Sequence, residues 1–144
     1  MLEILEKKGI KFFFPIQYMT FEIIYNREDL IGRDRTGSGK TIAYSLPVIE
    51  RFRIQGLFKN SYVKYLIVLP TRELCIQVTN EIESLKISSK EYNVISLYGG
   101  TGMGDSFKKL KDKVDIIVAT PGRLIDLIER GAIDFNGIEC VCLD

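Results

Sequence analysis

Histidine is absent from this 144-residue sequence, and cysteine is confined to Cys75, Cys140 and Cys142. No two of those cysteines stand in a C-x-x-C spacing, so the chain offers neither a zinc-ligand set nor a disulfide framework. Its thiols suit a reducing compartment. An excess of charge is also missing: 20 Lys and Arg face 19 Asp and Glu, for a net charge of +1. No overall basic field advertises a polyanionic partner, so any contact with nucleic acid must be local. No apolar run approaches the ~20 residues that a membrane span requires. Met1 to Ile10 mixes Glu and Lys into its apolar stretch and carries no small-residue cleavage site. Internal repeats and low-complexity tracts are lacking too. These absences lead to the expectation of one soluble, intracellular domain, for which a hydrophobic content of 46% supplies a core.

What the sequence does contain is alternation. From about Leu30 onward, short apolar runs alternate with helically spaced ones, the sequence form of strands and crossover helices in a parallel sheet. Tyr65-Leu66-Ile67-Val68-Leu69 is an uninterrupted apolar run of strand length, as expected where helices cover both sheet faces. Val94 to Tyr98, Val114 to Ala119 and Ile138 to Leu143 read as further strands, and Asp29 to Ile31 as a short first one. Ile42, Ala43, Leu46, Ile49 and Phe52 mark a helix that Pro47 is expected to kink or shorten. Leu74, Val78, Ile82 and Leu85 mark the buried stripe of a second helix. Leu124, Leu127 and Ile128 form the inward face of a third, which Thr120 caps and Pro121 opens. Cys140 and Cys142 share one face of a strand and read as small core residues, as does Cys75 on its helix. The expected class is α/β, a mainly parallel sheet with helices on both faces.

Thr36-Gly37-Ser38-Gly39-Lys40-Thr41 lies between the first expected strand and the first of these helices. Glycines there let backbone N–H groups close around phosphate oxygens, Lys40 neutralises β and γ phosphates, and Thr41 offers a hydroxyl to magnesium. An ordinary glycine turn would leave the strand, loop and helix context unexplained. Asp34 stands where the pattern G-x-x-x-x-G-K-[ST] has a small residue; turned outward, it is expected to pair with Arg33 or Arg35. Other polar residues have bland readings when each is taken alone. Gln17 would be a solvated amide, Arg72 an ion-pair partner of Glu73, Thr120 a helix cap, and the Lys108 to Lys113 cluster a solvated helix face.

Together with the phosphate loop, four segments stand in one order: Phe14-Pro15-Ile16-Gln17, Pro70-Thr71-Arg72-Glu73-Leu74, Gly99-Gly100 and Thr120-Pro121-Gly122-Arg123. Over nearly its whole length the chain resembles the DEAD-box RNA helicases. The resemblance implies a RecA-like P-loop NTPase fold, incomplete at the C-terminus. Residues 1–28 would form a glutamine-motif segment and residues 29–144 part of the helicase ATP-binding domain, the second RecA-like domain being absent. It implies ATP and Mg2+ as cofactors. Gln17 would read the adenine edge, the donor and acceptor of its amide matching N6 and N7. Thr36, Gly37, Ser38, Gly39, Lys40 and Thr41 would hold the phosphates. Lys40, Thr41 and Asp144 would be the catalytic set, with Thr41 and Asp144 on the metal, partly through water.

The same resemblance assigns Pro70, Thr71, Arg72, Gly99, Gly100, Thr120, Pro121, Gly122 and Arg123 to the RNA sugar-phosphate backbone. Those residue types suit phosphate contact without base reading: a fixed fork of donors, glycines that allow close approach, and a helix start with free N–H groups. Phe12, Phe13, Phe14 and Ile16 flank Gln17, and Phe13 replaces the proline usual in the family. Asp144 aligns with the first acid of the Asp-Glu-Ala-Asp motif. The following glutamate, the Ser-Ala-Thr segment and the arginine finger of the second domain do not appear, so the chain alone is expected not to turn over ATP. The finger alone is worth ~10³–10⁵ in rate. Val141 and Leu143 are expected to lack packing partners, and the chain to be monomeric. Phe12 to Gln17 and Leu97 to Thr101 resemble the nucleolar Gu-type branch, which implies a nuclear or nucleolar setting. Two other function classes stay open here: a non-catalytic module that holds nucleotide or RNA, and a P-loop NTPase unrelated to RNA.

Overall fold

A computed structural model of the chain describes residues 2–58 and 62–144. Four short strands form one wholly parallel sheet: β1 (Tyr65–Val68), β2 (Val94–Leu97), β3 (Ile116–Ala119) and β4 (Cys140–Leu143), in the spatial order β2-β3-β1-β4. Helices α1 (Leu2–Lys7), α2 (Pro15–Tyr25) and α3 (Lys40–Ile54) precede the sheet; α4 (Arg72–Glu83), α5 (Met103–Leu110) and α6 (Pro121–Glu129) connect its strands. The period-two alternation of a strand divides each one between two cores. Tyr65, Ile67, Ile116 and Val118 meet α3 and α4 on one face, while Leu66, Ile117, Ala119 and Leu97 meet Leu124 and Leu127 of α6 on the other. Helices therefore cover both faces, and the strands are apolar throughout for that reason.

The expected helix faces need three corrections. Pro47 removes the N–H that would bond the Ala43 carbonyl, yet α3 runs unshortened to Ile54, held by Leu46, Ile49 and Phe52, each at most 1% exposed. On α4 the buried stripe passes through Cys75 rather than Leu74, which is 37% exposed. On α6 Leu124 and Leu127 face inward, whereas Ile128 lies outside at 45% exposure.

The expected strand over Asp29 to Ile31 does not form. Residues 28–35 run without regular structure, and Ile31 is 99% exposed. A strand exists only where a neighbour satisfies its N–H and C=O groups. Among the described residues the sheet ends at β4, and a cavity of about 670 Å³ lies between β4 and residues 28–32. Cys140 and Cys142 turn inward against the α3 core, while Val141 and Leu143 are left outside at 53% and 78% exposure.

Candidate functional site

Except for the glutamine segment and the phosphate loop, every segment singled out from the sequence follows a strand at its carboxyl end, where open α/β sheets bind ligands. The phosphate loop is shaped by left-handed backbone at Gly37 (φ +82°) and at Gly39 (φ +78°), the N-cap of α3. Lys40 opens α3. Its Nζ donates to the carbonyls of Asp34 at 3.0 Å and Arg35 at 2.9 Å, so the ammonium spans the loop. Ser38 Oγ is buried and has no hydrogen-bond partner among the described residues, and the first N–H groups of α3 have no acceptor within the helix. Asp34 is exposed and its Oδ1 accepts from the Arg35 backbone N–H at 2.8 Å; among the described residues it forms no ion pair with Arg33 or Arg35.

Gln17 is 4% exposed and joins this loop to the segment before it. Its Oε1 accepts from the Phe14 N–H at 3.0 Å, which closes the first turn of α2, and its Nε2 donates to the Gly39 carbonyl at 3.1 Å. An amide has two donors and two acceptor positions, so half of its capacity remains for a ligand. A β-carbon on Gly39 would collide with that amide, so glycine is required there by the neighbour as well as by φ. Burial of Gln17 does not come from a phenylalanine cage: Phe12, Phe13 and Phe14 are 88%, 40% and 55% exposed.

Asp144 sits at the carboxyl end of β4, its N–H donating to the Val68 carbonyl at 3.1 Å. Its carboxylate accepts from the Tyr44 hydroxyl at 3.2 Å. Burial raises the Tyr44 phenol well above its ordinary range, the nearby Thr41 side chain opposes this and the adjacent Asp144 adds to it, so the hydroxyl stays a donor. Tyr44 thereby ties α3, the helix that carries Thr41, to Asp144. Sequence reasoning missed it, although its place three residues after Thr41, on the same face of a helix, was a usable signal.

The remaining segments form a rim beside this site. Thr71 caps α4, its Oγ1 accepting from the Leu74 N–H at 3.2 Å. Arg72, exposed, forms no ion pair with Glu73 among the described residues; its guanidinium lies 5.1 Å from the Tyr98 ring centroid, beside Gly100. Gly100 has φ +83°, and both Gly99 and Gly100 are exposed. Thr120 occupies the N-cap of α6 without a cap bond from its side chain, which leaves the hydroxyl unspent, and Pro121 and Gly122 are exposed at the helix start. Arg123 is placed differently. It is 8% exposed and donates to the Thr101 carbonyl at 2.8 Å, to Thr101 Oγ1 at 3.4 Å and to Ser106 Oγ at 2.6 Å. Its fork is directed inward and fixes the turn after Gly100 against α6.

Residues 14–144 match the sequence profile of the DEAD/DEAH box helicases. The chain belongs to that family. It is 38% identical over 142 residues to Nucleolar RNA helicase 2-B of Xenopus laevis, covering 97% of this chain and 17% of that protein. It is 37% identical over 143 residues to the DEAD-box ATP-dependent RNA helicase CshA of Geobacillus kaustophilus, covering 99% of this chain and 30% of that one. Among solved structures, a hypothetical ATP-dependent RNA helicase from Sulfolobus tokodaii superimposes with a TM-score of 0.85 at 34% identity, over 99% of this chain and 40% of that one. The sheet and its helices are thus those of an RNA helicase RecA-like domain, and the chain spans a minor part of the length of these DEAD-box relatives.

Proposed function

We propose that this chain is the nucleotide-binding half of an ATP-dependent RNA helicase, with residues 1–28 as a glutamine segment that closes on the ATP-binding unit of residues 29–144. The observation that carries this reading is the bond from buried Gln17 to the Gly39 carbonyl. It holds the amide proposed to read adenine against the proposed phosphate loop. Within the proposed site, Gln17 presents its remaining donor and acceptor to adenine N6 and N7. Lys40 leaves the Asp34 and Arg35 carbonyls for the β and γ phosphates, with loop N–H groups and Ser38 Oγ contributing hydrogen bonds.

Thr41 and Asp144 fit magnesium, since both offer the hard oxygen donors that this ion takes, often through water. Bound there, Mg2+ would neutralise charge on the β and γ phosphate oxygens. Tyr44 orients Asp144 by donating its hydroxyl to that carboxylate. RNA is proposed to lie along the rim, its phosphates met by Arg72, the Gly99-Gly100 backbone, the Thr71 and Thr120 segments, and the free N–H of Gly122 behind Pro121. Arg123 acts there through Thr101 rather than by direct contact. In this proposal ATP hydrolysis and strand separation belong to the full-length protein, which carries a second RecA-like domain. A nuclear or nucleolar setting is suggested by the nucleolar relative, although a mitochondrial relative from Arabidopsis thaliana is 40% identical.

Equilibrium binding of ATP and GTP to the purified chain, with magnesium, tests the reading. Wild type should prefer ATP, Lys40→Ala should lose both nucleotides, and Gln17→Ala should lose the preference. Equal affinity for ATP and GTP in wild type, or undiminished binding by Lys40→Ala, would refute it.

A further inference from the structure

Tyr98 follows β2 directly, and its ring gathers two cations from different helices. The Arg72 guanidinium of α4 lies 5.1 Å from the ring centroid and the Lys109 ammonium of α5 lies 5.6 Å from it. Among the described residues neither cation forms an ion pair. Lys109 Nζ also donates to the Ser96 carbonyl at 2.9 Å, on the open edge of β2, which fixes the long side chain toward the rim instead of into solvent. Two like charges drawn to one aromatic ring repel each other, and among the described residues no acid lies within ion-pair distance of either. Beside them lies the exposed Gly99-Gly100 turn, where Gly99 has open space and Gly100 adjoins Arg72. That turn is held from behind, since Thr101 Oγ1 donates to the Tyr98 carbonyl and Arg123 grips Thr101.

We infer that Tyr98 is a positioning residue which sets Arg72 and Lys109 as a two-cation clip for one stretch of phosphodiester passing the Gly99-Gly100 turn, with Lys109 a further phosphate contact of the rim. An anion that reaches both cations relieves their repulsion, and the ring holds each of them in place. The Tyr98 hydroxyl makes no hydrogen bond among the described residues, so the ring face does the positioning. This inference rests on the RNA-rim reading above. The other lysines of the 108–113 cluster are not needed for it.

The test is fluorescence-anisotropy titration of the folded chain with a short labelled oligouridylate across a salt series, each variant first checked by thermal melting. Arg72→Ala should weaken binding. Tyr98→Leu should raise Kd about two- to fivefold, the worth of an exposed cation–π contact, while Tyr98→Phe should match wild type. Lys109→Gln, on an exposed side chain that leaves folding intact, should lower the slope of log K against log salt by about 0.7, the value of one phosphate contact on a single strand. Unchanged binding by Arg72→Ala would remove the RNA-rim reading and this inference with it. If Arg72→Ala weakens binding but Lys109→Gln keeps the wild-type slope, or folded Tyr98→Leu keeps the wild-type Kd, this inference alone falls.

Discussion

Replacing Gln17 should separate what its side chain does for the fold from what it does for a ligand. The amide makes two hydrogen bonds from a site that is 4% exposed, one from the Phe14 N–H and one to the Gly39 carbonyl. Gln17→Ala leaves both backbone groups without those partners. At a net ~1 kcal/mol for each bond, the loss is about 2 kcal/mol. For a chain of this size that lowers the melting temperature by about 6 °C. Gln17→Glu keeps the acceptor for Phe14 but sets a carboxylate oxygen against the Gly39 carbonyl, where a donor is needed. Burial and that contact should raise the folded-state pKa of the new carboxyl above its unfolded value of about 4.3. The sign follows: the protonated acid can donate to Gly39, so stability is present below the unfolded pKa and is lost as pH rises through the folded one. Thermal melting should therefore place Gln17→Glu near wild type at about pH 4 and below Gln17→Ala at neutral pH. A Gln17→Ala melting point within about 1 °C of wild type, or a pH-independent offset for Gln17→Glu, would refute the claim that this amide ties the two segments together.

Gly39→Ala should lower ATP affinity at least about tenfold, because φ +78° is strained for alanine and its β-carbon collides with the Gln17 amide, which moves loop and adenine reader together. Isothermal titration checks it, and an unchanged Kd would count against the proposed site. Arg123→Lys should destabilise the chain by about 2–3 kcal/mol in urea denaturation, since one ammonium cannot reproduce bonds to both Thr101 and Ser106 from a buried position; a loss under about 0.5 kcal/mol would show the guanidinium to be dispensable. Burial pushes the Cys75 thiol from 9.0 to about 11 and Cys142 to about 12, and raises the Tyr44, Tyr65 and Tyr92 phenols. These groups ionise first in the unfolded chain, so their contribution to stability should be constant below pH 9.0 and fall as pH rises from 9.0 toward about 12. A melting temperature that is flat across that window would contradict the burial of these thiols and phenols.

Local chemistry made much of this protein legible from its sequence. The glycine loop before Lys40, the strand-length apolar runs and the Pro121 helix start depend on neighbours a few residues apart, and the structure keeps them. The ordered segments located the site at the strand ends for the same reason: a parallel α/β chain returns each crossover to one end of the sheet. Partners distant in sequence had to wait for the tertiary structure. Residues 29–31 look like a strand, but pairing is decided by what lies alongside, and a cavity separates them from β4. Arg123 looks like a surface fork, and only the approach of Thr101 and Ser106 buries it. Gln17 looks solvated until Gly39 closes over it, and Tyr44 and Tyr98 gain roles only through Asp144, Arg72 and Lys109. Backbone form follows from residue type and spacing, whereas the use of a polar side chain depends on which distant groups folding brings within about 3 Å of it.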